Sequence, residues 1–226
     1  MSSTEREIVF TNDLDGIHFK ALPPIKTTLQ LLRKDISLPQ VNPPIEEYNL
    51  PEGWRGSVFS KWSIFCHRLS PINKEALEGL EVIRQVAMEH ERQLKFAALS
   101  GREIYKHEIT QRRLIKSGHM EYFTDLHLNQ GRSSSGWKES VVRRLAKEGL
   151  NVVHIDDDLR SGLCVARVNN DYPDKQRVLV YMMHNISNHP RLLRRSGVEI
   201  PDNLVFVHSF KEAAIDFAAR LRNKTI

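Results

Sequence analysis

Four short segments carry residue types that can act together on a phosphate ester. Asp13-Leu14-Asp15-Gly16 directly follows the apolar run Ile8-Val9-Phe10. Ser100-Gly101-Arg102 follows Phe96-Ala97-Ala98-Leu99, and Lys138 stands at the start of a helical pattern. Asp156-Asp157-Asp158 follows Val152-Val153-His154-Ile155. An Asp carboxylate is a weak nucleophile, but it attacks phosphorus when a divalent cation withdraws charge and screens the repulsion between anions. Mg²⁺ takes oxygen ligands, a few carboxylates among them, and Asp13 with an Asp of the 156–158 run could supply these. A second carboxylate two residues after the nucleophile, the position of Asp15, can protonate the leaving oxygen and then activate water. The Ser100 hydroxyl and Lys138 ammonium can hold the non-bridging oxygens that gain charge in the transition state.

Each segment alone has a plainer reading. Asp-x-Asp-Gly suits a turn in which Asp side chains bond their own backbone. Ser100 suits a helix N-cap, which is compatible with binding phosphate at the same helix start. Lys138 could be a solvated helix lysine, and the Asp triplet a turn leading into a helix. Order and shared strand-end placement favour the joint reading. The stretch from Gly131 through Ser140 nearly spells a phosphate-cradling P-loop. Trp137 and Glu139 break the contiguous Gly-Lys-Ser/Thr that such a loop requires.

The elements that must position these residues are legible in outline. Residues 7–11 read as a buried strand. Asn73 to Glu91 is helical, with Ala76, Leu80, Ile83 and Ala87 on one face and Asn73 as N-cap. A strand over 95–99, a helix over 102–116 closed by Gly118, and a strand over 122–128 follow. After a Ser- and Gly-rich loop at 131–136 come a helix over 137–148 and a strand over 151–155. Strands at 177–183 and 204–208 and helices at 188–195 and 211–222 complete the pattern. This alternation predicts an α/β fold, a three-layer Rossmann-like mainly parallel sheet. Ligands of such sheets bind beyond the carboxyl ends of the strands, where these four segments would meet.

Residues 21–70 break the alternation. Six prolines and a cluster of Trp54, Trp62 and Phe65 suit a small cap or lid over a site, with 1–20 and 71–226 forming the core domain. The chain has 226 residues, 40% of them apolar, which is enough for one α/β domain plus such an insertion. No apolar run approaches the roughly 20 residues of a membrane span, so no membrane partner is expected. The first residues lack a signal-peptide profile, which points to the cytoplasm. Cys66 and Cys164 are too few for a zinc framework and read as inert. Net charge is +5, favouring anionic partners. The run Gln111-Arg112-Arg113 and the pair Arg143-Arg144 read as solvated helix faces.

With those residues in view, the chain resembles the haloacid dehalogenase-like (HAD) superfamily, most of whose members are phosphatases. The resemblance spans about residues 7 to 210 and places the 21–70 stretch where the superfamily inserts its first type of cap. It implies Asp13 as nucleophile and Asp15 as acid/base, with the Asp15 carbonyl also on the metal. It further implies Ser100, with Gly101, and Lys138 as phosphate-binding residues, and Asp157 as the Mg²⁺-facing acid helped by Asp156. The expected activity is Mg²⁺-dependent hydrolysis of a phosphorylated small molecule through an aspartyl-phosphate. A phosphatase of nucleotides or nucleic-acid ends is the alternative suggested by positive charge. A non-catalytic phosphate-binding protein on the same fold is a further alternative, against which the pairing of Asp13 with Asp15 argues.

Overall fold

A computed structural model describes residues 7–20, 65, 68–103, 106–129, 134–172, 177–184, 199–223 and 225–226. Six strands form one sheet: β1 (Ile8–Asn12), β2 (Leu94–Glu103), β3 (Phe123–Asn129), β4 (Asn151–Asp156), β5 (Val178–Met183) and β6 (Leu204–Val207). All neighbours run parallel, in the order β3-β2-β1-β4-β5-β6. The chain moves outward from β1 to β3, returns to lay β4 against the other side of β1, and moves outward again. The reversal puts a crevice at the carboxyl ends of β1 and β4, the usual ligand position in open α/β sheets.

The α-helices among the described residues include α1 (Lys74–Glu89), α2 (His107–Lys116), α3 (Ser134–Lys147), α4 (Leu159–Arg167) and α5 (Phe210–Arg222). Helices α1 and α5 pack on one face of the sheet and α3 and α4 on the other. Every residue of β1 is buried, as a parallel strand covered on both faces requires. Phe10 sits among Phe96, Phe210 and Phe217 with ring centroids 5.7–6.2 Å apart. Burying such a ring contributes roughly 2–3 kcal/mol. On α1 the buried face includes Ala76, Leu80, Ile83 and Ala87, as the spacing predicts. No helix among the described residues is long and apolar enough to cross a membrane.

Several boundaries differ from the sequence reading. Strand β2 runs through Ser100, Gly101 and Arg102 to Glu103, because Ser100 and Glu103 still pair with Leu128 and Asn129 across a register shift. Ser100 therefore lies within a strand and is not a helix N-cap, and α2 begins only at His107. Helix α3 begins at Ser134, which puts Lys138 in its second turn. Asn73 occupies the N-cap position of α1 but gives its side-chain amide to the Ile17 carbonyl at 2.8 Å. Arg113 is no solvated residue: its guanidinium lies 4.4 Å over the Phe19 ring. Of the expected 21–70 insertion only Phe65 and residues 68–70 are described, and the expected helix at 188–195 and Cys66 lie outside the described residues. Lys20 donates its backbone N–H to the Pro71 carbonyl at 2.8 Å, so the residues on either side of the 21–70 stretch lie together.

Candidate active site

Asp13 follows β1 immediately and donates its backbone N–H to Ile155 on β4 at 2.9 Å. The parallel register pairs Asn12 with Ile155, so Asp13 and Asp156 leave the two strands side by side. Asp157 is the next residue along. Ligand oxygens of Asp13, Asp156 and Asp157 all lie within 4.8 Å of one another. Lys138 reaches this cluster from α3 and is itself buried, with Nζ 2.7 Å from Asp156 Oδ2 and 3.1 Å from Asp13 Oδ1.

Charge in this group follows from burial and contacts. For Lys138, burial works against the charged form, but the Asp13 and Asp156 carboxylates outweigh it and hold the ammonium above its ordinary pKa. Burial would also raise Asp156, yet Lys138 and His154 overcome that and keep it below the usual carboxylate range. Asp13 goes the other way: burial raises it, Lys138 opposes, and Asp156, Asp15 and Asp157 add to the rise. The two acids share one lysine but not equally, since Asp156 has the shorter contact and two further donors. Three carboxylates around one ammonium carry two excess negative charges when ionised. An all-oxygen, doubly negative set fits a hard divalent cation such as Mg²⁺.

Asp156 and Asp158 are fixed in different ways. Asp156 Oδ2 accepts from Lys138 and from His154 Nε2 at 3.0 Å, while Oδ1 accepts the Asp158 backbone N–H at 2.9 Å. A carboxylate only accepts, and burial holds His154 below its ordinary pKa, so Nε2 carries the proton. His154 Nδ1 then accepts from the Thr11 hydroxyl at 2.9 Å, a closer partner than the Val153 carbonyl at 3.3 Å. Asp158 caps α4, its Oδ1 accepting from Arg160 N and its Oδ2 from the Ser161 hydroxyl. That role leaves Asp156 and Asp157 facing Asp13, and Asp158 away from the cluster.

Gly16 sets the approach of the first loop to Asp157. Its φ of 85° is left-handed, and a Cβ there would stand 2.2 Å from the Asp157 carboxylate. Gly101 has a similar constraint: a Cβ would come within 2.2 Å of the Ser134 hydroxyl, so β2 and the first residue of α3 touch there. Ser100 is fully buried, and its Oγ accepts the Arg102 backbone N–H at 3.3 Å.

Arg102 was not legible as a site residue. It grips Asp15 with two parallel hydrogen bonds, Nε to Oδ2 at 2.8 Å and Nη2 to Oδ1 at 2.5 Å. The guanidinium is buried, stacks 4.7 Å over Phe19 and donates to Thr110 Oγ1, whereas the Asp15 side chain is half exposed. Its partner lies 87 residues away in sequence, beyond any local spacing signal. The Thr11–His154–Asp156 chain was missed for the same reason, although a polar His inside an apolar strand run was its one visible sign.

A haloacid dehalogenase-like family hydrolase from Xanthomonas campestris superposes with a TM-score of 0.52 at 12% identity, covering 99% of this chain and 97% of that one. The chain has the haloacid dehalogenase-like fold. A HAD-superfamily hydrolase of subfamily IA from Geobacter sulfurreducens is similar at TM-score 0.47 and 11% identity, over 96% of this chain and all of that one. A haloacid dehalogenase-like hydrolase from Burkholderia xenovorans gives 0.46 and 10%, over 94% and 98%. No protein-family model and no curated protein matches the sequence. In this fold the acidic cluster lies at the strand-order reversal between β1 and β4.

Proposed function

We propose that this protein is a divalent-metal-dependent hydrolase of phosphate monoesters that works through a phosphorylated Asp13. The observation that carries the reading is the convergence of Asp13, Asp156 and Asp157 on one point beside the buried Lys138. Asp13, Asp157 and the Asp15 carbonyl would hold Mg²⁺, with Asp156 anchoring Lys138. When bound, the ion supplies charge neutralisation for the approach of carboxylate to phosphate.

The chain's own residues do the rest. An Asp13 carboxylate oxygen bonds to phosphorus as the ester P–O bond breaks, and Asp15 gives a proton to the departing alkoxide. Asp15 then takes a proton from the water that attacks phosphorus, releasing phosphate and restoring the Asp13 carboxylate. Lys138 and Ser100, beside Gly101, stabilise the non-bridging oxygens. An Asp15 carboxylate locked in the Arg102 fork has no proton to give. It must leave that fork to act, and its exposure permits the rotation. A cap role for the 21–70 segment belongs to this reading, since the chain leaves the core at Lys20 and rejoins it at Pro71.

The test is phosphate release from phenyl phosphate by the purified protein. Release should require Mg²⁺, stop with chelator, and vanish in Asp13→Asn. Turnover undiminished by chelator would contradict the reading.

A further inference from the structure

Arg113 on α2 has no part in the chemistry just described, yet it is held at the border of the site. Its guanidinium and that of Arg102 both stack on the Phe19 ring, at 4.4 and 4.7 Å from the centroid. Among the described residues Asp15 is the carboxylate that acts on both, and its two oxygens already accept from Arg102. Burial and the Arg102 charge push the Arg113 pKa down, with Asp15 opposing, so the second cation is kept there at a cost. Glu108, on the same helix, pairs with Arg112 and is exposed. Arg113 Nη2 donates to the Ser70 carbonyl. Its Nη1 is buried and has no acceptor among the described residues.

Stacking on Phe19 and the bond to Ser70 account for part of this placement. They do not account for a buried N–H that has no acceptor among the described residues, on a guanidinium that shares the Phe19 ring with a second cation. Leaving such a donor unmade is expensive, and an anion is the partner that would satisfy it while balancing the charge. The loop carrying Asp13 and Asp15 also carries Phe19, which bridges back to Asp15 and across to Ile72. The two guanidiniums therefore border the loop that carries the reacting acids.

We propose that Arg113, with Arg102, forms a subsite for a second anionic group of the substrate, a phosphate or carboxylate distinct from the phosphoryl group that reacts. The proposal rests on the phosphatase reading and narrows it to esters with two anionic ends. Binding at the subsite would also compete with Asp15 for Arg102, freeing Asp15 to meet the leaving oxygen.

Three probes separate the cases: butyl phosphate, butanediol bisphosphate and the phosphate ester of hydroxybutanoate. With Mg²⁺, the wild-type protein should show kcat/KM about tenfold or more higher for a doubly anionic ester than for butyl phosphate, the scale of a charge-assisted hydrogen bond. The bisphosphate and the carboxylate ester together tell which anion the subsite prefers. In Arg113→Gln the ratio should fall toward one, and in Arg113→Lys it should be intermediate, since charge stays while the fork is lost. A wild-type protein that does not distinguish the three esters would overturn the proposal. So would a preference that persists undiminished in Arg113→Gln. If Arg113→Gln does not fold, the wild-type ratio and Arg113→Lys still decide. If none of the esters is hydrolysed, the phosphatase reading fails by itself, and calorimetric titration of the same compounds reads the subsite. Tighter binding of the doubly anionic pair would then uphold it, and equal or absent binding of all three would reject it.

Discussion

At the scale of single residues, the site depends on close approaches that tolerate no added atom. Gly16→Ala would put a methyl group into the Asp157 carboxylate and force an alanine into a left-handed backbone. Phosphatase activity should fall about 100-fold or more, the cost of a misplacement on the order of 1 Å at a reacting centre. Circular dichroism should show the fold retained, because the residue lies in a loop beyond β1. His154→Leu removes the donor that orients Asp156 and leaves Thr11 only the Val153 carbonyl. Outer partners of site carboxylates are worth roughly 10–100-fold in activity or metal affinity, and with Asp156 no longer fixing Lys138, phosphate release at saturating Mg²⁺ should show a loss of that size. The acids were legible because residue type and strand-end position announce them. Which of Asp156, Asp157 and Asp158 does what was not legible, since that depends on which oxygens are already occupied. Arg102 was named only as part of the Ser100-Gly101-Arg102 segment, because an ion pair between β2 and the first loop leaves no local pattern.

At the scale of elements, the packing of α3 against the end of β2 delivers Lys138. Gly101→Ala would press a Cβ onto the Ser134 hydroxyl, and overpacking of this kind costs roughly 1–3 kcal/mol. Combining it with Ser134→Gly should recover part of that loss, which denaturant unfolding of the single and double variants would measure. The strand-helix order was legible from the alternation of apolar runs and helical faces. The ends of β2 and α3 were not, because Ser100, Gly101 and Ser134 are residues that ordinarily mark loops and caps, and tertiary pairing overrides that local tendency.

A second element-scale effect concerns the end of α2. His119 meets His18 edge-on at 4.9 Å, and both rings are buried. Burial lowers the pKa of His119 to about 4, and burial together with His119 lowers that of His18 well below its ordinary value. An unfolded His titrates near 6.5, so on acidification the unfolded chain takes the proton first. The contribution of His119 to stability is therefore full above about pH 6.5 and is lost as pH falls toward about 4. Urea midpoints should decline across that window. His119→Phe, which keeps a ring against Phe123, should flatten the decline. An unchanged pH profile in that variant would place the acid sensitivity elsewhere.

At the scale of the whole molecule, one topological reversal does the organising. It brings the ends of β1 and β4 together, so acids 143 residues apart in sequence, Asp13 and Asp156, become neighbours. The loop after β1 leads directly into the hydrogen bond between Lys20 and Pro71, where the 21–70 segment departs and returns. Phosphorylation of the Asp13 carboxylate is the step on which the proposed function depends. The most direct measurement is acid-quenched mass spectrometry of the Asp15→Asn protein after mixing with Mg²⁺ and phenyl phosphate, since this variant should form the phosphorylated enzyme faster than it hydrolyses it. One phosphoryl group is expected on the peptide that contains Asp13, absent with chelator and absent when Asp13→Asn is added to the same protein. Mg²⁺-dependent turnover by the wild-type protein, with no phosphoryl group trapped on that peptide and with activity surviving Asp13→Asn, would contradict it.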